Sequence, residues 1–374
     1  MTLTLAIQNL CCDRVRLAVT LVGVVFAVVL IAVQIGIFVG FGRTTSALID
    51  HSGAAVWLAG KGTKNVDQAP PISERRLYQA LAVPGVVDAK RFLTDFVLWQ
   101  KPAGGIESIL IVGFDPESGV GGPWNVVAGD VRQLKTPDTV MIDELYREQL
   151  GVSEIGQVVE INGRRARVVG FTRGIRSFSL SPYVFASFKT AQAYARMRED
   201  ETKFILLKVA PGFSPDVIKR ELAVRLPEVE VYTQDEFSRS TQIHWLFRTG
   251  AGLALLAAAV LGLAVGMVVV AQTLYATTVD HIKEFATLRA IGASNRYIHA
   301  VIIYQALVAA GVGYAIGILI SFGIVRSAAN AGPAILLPWQ LALGLAVLTV
   351  MMCTTAGLIS ISRVTRLDPA MVFK

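Results

Sequence analysis

Four windows of this 374-residue chain contain no Asp, Glu, Lys or Arg: residues 17–42, 249–279, 297–325 and 327–362. That pattern constrains the fold more than any other feature. About 20 apolar residues, at about 1.5 Å of helical rise each, cross the hydrocarbon core of a bilayer. Each window is longer than that, and helices buried in a soluble core seldom need so long a run without charge. The remaining charge is concentrated accordingly. Only 17% of the residues are charged, mean hydropathy is +0.54, and soluble domains carry about 25% charged residues. The sequence predicts a membrane α-helical protein with four transmembrane helices and a large α+β extracytoplasmic domain inserted between the first and the second.

The first window follows Arg14 and Arg16, as in a signal peptide. It is longer than the roughly 7–15 residues of a signal core, and no small-residue cleavage site follows it. It reads as a retained span. Short loops set the orientation. The segments 1–16, 280–296 and 363–374 hold eight basic residues: Arg14, Arg16, Lys283, Arg289, Arg296, Arg363, Arg366 and Lys374. The loop 326–338 offers Arg326 alone. Basic short loops stay in the cytoplasm. The expected order is therefore a cytoplasmic segment 1–16, span 17–42, an outer domain 43–245, and span 246–279. A cytoplasmic connector 280–296, span 297–325, outer loop 326–338, span 339–362 and cytoplasmic tail 363–374 follow. The outer region 43–248 has 26 basic and 24 acidic residues. The high isoelectric point thus reflects the membrane boundary, and no nucleic-acid footprint is present.

The outer domain reads as mixed strands and helices. Runs rich in Val, Ile, Phe and Tyr at 54–60, 96–100, 108–114, 157–161, 166–171, 182–187, 203–210 and 228–233 predict strands. Asn162-Gly163 predicts a tight hairpin. Helices are predicted at 73–82, 143–151, 189–198 and 214–226, with Ser73 and Ser214 as N-caps. Helix, proline and strand recur at 73–87 and at 214–231, suggesting two related βα halves with an insertion near 138–171. Thr233 to Glu236 fits a capping box. The helix it starts is expected to run unbroken through Trp245 into the second span, as a stiff lever. Trp245 and Trp339 are expected at the outer membrane interface.

Recognisable chemistry is sparse. No GxxxxGK[ST], HExxH, GxSxG or EF-hand pattern occurs in these residues. His51, His244, His281 and His299 show no metal-ligand spacing, and Cys11, Cys12 and Cys353 all lie outside the outer domain. No catalytic, cofactor-binding or metal-binding residue is assigned, and the chain reads as a non-catalytic subunit. The spans do carry small-residue pairs: Gly36 and Gly40, Gly262 and Gly266, Gly313 and Gly317. Such spacing lets helices approach closely.

The connector between spans two and three reads KEFATLRAIGASNRYI over 283–298. It predicts a short amphipathic helix at the membrane surface that ends near Gly292. This stretch resembles the coupling region of the MacB/FtsX-like ABC transporter permeases. The matching residues are Glu284, Ala286, Leu288, Arg289, Ala290, Gly292 and Ala293. QTLYATTVDH at 272–281, TQDEFSRSTQ at 233–242 and RLDPAMVFK at the C-terminus resemble the DevC-type branch of glycolipid exporters. The order of one span, a large outer domain and three more spans is also that of the family.

The resemblance implies a homodimeric permease of the bacterial inner membrane, driven by a cytosolic ABC ATPase on a separate chain. That ATPase would dock on Lys283, Glu284, Phe285, Leu288, Arg289 and Gly292. The resemblance also implies a periplasmic membrane-fusion adaptor, a TolC-like outer-membrane channel, and export of a lipidic or amphiphilic substrate. Two alternatives within the family are transmembrane signalling to a cell-wall hydrolase, as in FtsX, and haem or drug efflux. An ATP-independent receptor or scaffold would leave KEFATLRAIGAS unexplained.

Overall fold

The computed structural model describes residues 14–177, 181–280, 287, 295–328 and 334–364. They form two compact units, a helical one built from the described residues of 14–39, 252–328 and 335–364, and a sheet domain built from those of 40–251 together with residue 334. Each is described by itself.

The helical unit rests on four helices long and apolar enough to span a membrane. They are α1 (Arg14–Thr45), α6 (Ala251–Asp280), α7 (Asn295–Ser327) and α8 (Trp339–Val364). Their shared core contains Val24, Ala27, Val28, Ile31, Val270, Ala306, Ala310 and Met352. Alanines are interleaved with the larger side chains, because lipid offers no hydrophobic gain on helix association and close packing must supply the attraction. Large apolar side chains such as Val22, Leu261 and Leu319 face outward, as lipid contact requires. Tyr314 closes one gap by donating its hydroxyl hydrogen to the Ala342 carbonyl at 2.8 Å.

The sheet domain has two lobes. In the first, β1 (Val56–Gly60), α2 (Arg75–Leu81) and β3 (Val86–Gln100) are followed much later by β11 (Phe204–Val209), α4 (Pro215–Arg225) and β12 (Val229–Thr233). The strands lie in the order β12-β1-β11-β3, all antiparallel to their neighbours. This is the split βαβ arrangement of ferredoxin-like folds. It gives the two helix–proline–strand segments a common role, since each ends in an outer strand of the four. Side chains alternate across the strands. Val56, Leu58, Ile205 and Leu207 face the helices through Ala80, Ile218 and Leu222. Trp57, Ala59, Phe204 and Leu206 face the other way with Phe92 and Phe237.

The second lobe arises because β3 is 15 residues long. Its far half pairs with β4 (Ile106–Phe114), which runs parallel to β9 (Tyr183–Ser187). Next come β6 (Thr139–Asp143), β8 (Arg164–Thr172) and β7 (Val158–Ile161), and β7 pairs back to β3 at Trp99 and Gln100. Six strands thereby close into a ring, which leaves them no free edge. Its filling includes Leu93, Val97, Trp99, Ile109, Ile111, Val140, Ile161, Val168 and Val184. A further strand, β5 (Val126–Gly129), pairs with β8, and short β2 (Ile72–Ser73) pairs with β10 (Glu201–Thr202). The helix α3 (Phe188–Tyr194) packs on this lobe. The insertion between the two halves thus spans residues 101–203, wider than the 138–171 expected, because β4 and β9, which pair with each other, belong to it as well.

Local signals account for several details. Asn162 (φ 48°) and Gly163 (φ 81°) form the turn between β7 and β8, both left-handed as a two-residue hairpin demands. Asn162 is also tied outward: its Oδ1 accepts from the Leu98 N–H at 3.1 Å and its Nδ2 donates to the Tyr194 carbonyl at 2.8 Å. Ser214 occupies the N-cap of α4 without a side-chain bond, Pro215 supplying the start. Ser73 lies instead in β2, and Glu74 holds the cap position of α2. The segment 143–151 is a short 3-10 turn and a four-residue helix rather than one long helix.

The capping box is complete at the start of α5 (Gln234–Ile243): the Thr233 hydroxyl accepts from the Glu236 N–H, and the Glu236 carboxylate accepts from the Thr233 N–H. Thr233→Ala is expected to cost the sheet domain about 1 kcal/mol, read as a lowered urea midpoint, with Thr233→Ser close to wild type. Beyond α5 the helix does not continue as the unbroken lever expected from the sequence. A five-residue π-helical segment, His244–Arg248, comes next. Gly250 then takes φ +80°, a left-handed value at which a helix ends. The helix α6 begins anew at Ala251.

Candidate functional site

The connector residues Lys283, Glu284, Phe285, Leu288, Arg289 and Gly292 lie outside the described residues. The structure describes the helices flanking them: α6 ends at Asp280 and α7 starts at Asn295.

The glycine pairs lie at close approaches. A Cβ placed on Gly262 would meet Leu30 Cδ2 at 2.7 Å, and one on Gly266 would run into Ala27 and stand 3.0 Å from Met352 Sδ. On α7, a Cβ at Gly313 would meet Val24 Cγ1 at 2.5 Å and one at Gly317 would meet Val28 Cγ1 at 2.7 Å. Two different helices, α6 and α7, thus each present a Gly-x3-Gly face to α1, and α1 answers with Val24, Ala27, Val28 and Leu30. Gly36 and Gly40 serve otherwise. Gly36 faces Ile335 and Leu336, and its carbonyl accepts from the Leu336 N–H at 3.0 Å. Within the sheet domain, a Cβ at Gly40 would collide with the Ala334 carbonyl.

A second arrangement lies where the chain enters and leaves the sheet domain. Entry is through Thr45, Ser46 and the short helix Ala47–Asp50, and exit is through α5. The two are laced together. Gln242 Nε2 donates to Ser46 Oγ at 2.8 Å, and Gln234 Nε2 donates to the Ile49 and Asp50 carbonyls at 3.1 and 3.0 Å. One apolar seam runs down α5: Phe237 stacks on Tyr232 and leans on Trp57 with ring centroids 5.3 Å apart. Thr241, one turn on, is fully buried. Trp245, another turn on, is held in the domain by its indole N–H, which donates to Asp67 Oδ2 at 3.2 Å.

Asp67 itself is 2% exposed. Burial pushes its carboxyl up to about 7, against the lowering effect of the Trp245 indole and of a backbone N–H. Nothing in the sequence singles out this residue, since one Asp among Lys, Asn and Gln reads as a solvated loop. Gln234 and Gln242 are equally silent in the sequence, because their partners lie about 190 residues away.

The second lobe carries an open cleft of about 630 Å³, lined in part by Arg91, Phe114, Asp115, Lys135, Arg164 and Lys189. Several of its charges are already paired: Lys135 with Glu117 at 2.7 Å, Arg91 with Glu74 at 2.8 Å, and Asp115 with Lys90 at 3.2 Å. The exposed Lys135–Glu117 pair contributes little to stability, the other two are half-buried, and the cleft lining offers no convergent reactive groups. Among the described residues, no group of three or more His, Cys, Asp or Glu could hold a metal ion.

Comparison with known proteins places both units. Residues 17–224 match the family model of the MacB-like periplasmic core domain, and residues 256–369 match that of the FtsX-like permease C-terminal region. The chain is 25% identical over 374 residues to an uncharacterized ABC transporter permease of Mycobacterium tuberculosis, covering 98% of each. It is 23% identical over 365 residues to another of Mycobacterium bovis, covering 96% of this chain and 95% of that one. Among solved structures, the periplasmic region of MacB from Actinobacillus actinomycetemcomitans matches with a TM-score of 0.40 and 11% identity, over 50% of this chain and 94% of that one.

Proposed function

Because the chain belongs to the MacB/FtsX-like family of ABC transporter permeases, we propose that it is the membrane subunit of an ABC exporter for a lipidic or amphiphilic cargo. The observation that carries this reading is the pair of family matches, which together reach both units. In this reading the chain is a multi-pass protein of the inner membrane with both termini in the cytoplasm and the sheet domain in the periplasm. It works as a homodimer with a cytosolic ATPase on a separate polypeptide. The ATPase docks on Lys283, Glu284, Phe285, Leu288, Arg289 and Gly292, and a membrane-fusion adaptor with a TolC-like channel carries cargo onward.

The residues themselves support such a division of labour. The spans carry no ionisable Asp, Glu, Lys or Arg in their charge-free windows, which disfavours an ion relay through them. The glycine faces hold α1 against α6 and α7, so that the helices flanking the connector are bound to a common partner. The chain supplies no catalytic group and no cofactor site in this reading.

Comparative lipid analysis of envelopes tests the cargo. Cells lacking the chain are expected to lose one amphiphile from the outer envelope and to accumulate it in the inner membrane, with recovery on complementation. Unchanged lipids together with altered activity of a cell-wall hydrolase would replace export by signalling.

A further inference from the structure

We propose that Asp67 is a proton-binding site that sets how firmly the sheet domain holds the helical segment leading, in sequence, to the second span. This inference goes beyond the transport reading and does not depend on it.

Three observations carry it. First, the Asp67 carboxylate is buried with one oxygen engaged and the other idle: Oδ2 accepts from the Trp245 indole, and Oδ1 has no hydrogen-bond partner among the described residues. A buried carboxylate so poorly supplied is costly when charged and tolerable when neutral. Second, its surroundings share the deficit. Asn65 Nδ2, on the same loop, and His244 Nδ1, next to Trp245, are buried without partners among the described residues, so the closed joint satisfies its polar groups incompletely. Third, the donor to Asp67 sits on an irregular segment. Trp245 belongs to the π-helical turn His244–Arg248, with the left-handed Gly250 two residues beyond it. Such turns are local departures from the regular ladder and recur at functional positions.

The groups around the carboxylate do not neutralise it. From β9, fully buried Tyr183 is itself made harder to ionise, first by burial and then by Asp67 and Tyr146. On the π turn lie Trp245, His244 and Arg248, and on the loop of Asp67 lie Lys64 and Asn65. Lys64 and Arg248 bear on His244, whose imidazole is held below its ordinary range by burial and by those two cations. From β3, the hydroxyl of Thr94 donates to the Val66 carbonyl at 2.5 Å.

The direction follows from linkage. The closed joint binds the Asp67 proton more tightly than an opened, solvated joint would, so protonation favours closure. The stabilisation of the closed form is complete below the ordinary carboxylate range near pH 4. It is lost progressively as the pH rises towards 7, where the buried group ionises. Between those limits each pH unit changes the opening equilibrium by up to about tenfold.

Hydrogen exchange of the amides of residues 234–248 tests this in the full chain in lipid nanodiscs, corrected for the intrinsic pH dependence of exchange. The opening equilibrium of wild type is expected to rise at least about tenfold from pH 5 to pH 8. Asp67→Asn is expected to abolish the rise and to stay protected at both values. His244→Gln is expected to keep it. An unchanged wild-type equilibrium between pH 5 and 8 would overturn the proposal, as would an equal rise in Asp67→Asn or a loss of the rise in His244→Gln. Should Asp67→Asn fail to fold, wild type and His244→Gln still decide.

Discussion

Replacing Gly313 and Gly317 together by leucine is expected to dismantle the packing of the helical unit. Each new side chain would start where Val24 or Val28 of α1 already stands, at 2.5 and 2.7 Å from the added Cβ. Those valines are β-branched, fully or nearly fully buried, and locked in rotamer by their own helix. They cannot swing aside, so α1 and α7 must separate. Overpacking of this kind costs about 1–3 kcal/mol per site, and the two sites lie one turn apart on the same face. A combined loss of about 2–6 kcal/mol rivals the whole stability of many domains. The measurement is thermal unfolding and monodispersity in mild detergent. Gly311→Leu and Gly344→Leu are the controls, since a Cβ at either position meets nothing within 4 Å. They add the same apolar bulk to the same kind of helix. Should they destabilise as much as the Gly313/Gly317 pair, close approach would not be what these glycines provide.

The second large effect concerns the connector. Arg289→Glu is expected to uncouple the ATPase from the permease. In the proposed docking helix its guanidinium would meet an acidic group of the ATPase, and reversal turns attraction into repulsion. Disrupting a desolvated charge pair at an interface costs about 2–5 kcal/mol, so ATPase stimulation by the permease should fall tenfold or more. Arg289→Lys should fall less, because the charge survives although the planar fork does not. The assay is ATP hydrolysis by the reconstituted pair, with unfolding of the isolated permease as a control on folding. Full stimulation by Arg289→Glu would remove this residue from the docking surface.

What the sequence disclosed and what it withheld divide by range of interaction. The four spans were legible because a bilayer imposes its demand residue by residue along one helix. The hairpin at Asn162-Gly163 and the capping box at Thr233 were legible because their bonds close within a few residues. The closed six-stranded ring was not, for its decisive contacts join β3 to β7 and β4 to β9, some 60 to 80 positions apart. The strand β6 was missed for a related reason: TVMID is short, and the acidic residues after it suggested a helix. The unbroken lever failed on one backbone angle, that of Gly250, which a helical pattern in the flanking residues does not reveal. Trp245 was placed at the lipid interface because indoles prefer it. What the sequence did not reveal is that the Trp245 indole N–H donates to Asp67, a partner that the sequence presents as an ordinary loop residue. The glycine spacings could be read, but not their direction: that α6 and α7 both turn them towards α1 emerges only from the packed helices.

The most direct test of the central claim is quantitative mass spectrometry of the tagged chain purified from its native membrane in mild detergent. The account predicts an ABC ATPase recovered at about one copy per permease, enriched when ATP is present and its hydrolysis blocked. Recovery of the intact permease with no ATPase under any nucleotide condition would contradict it.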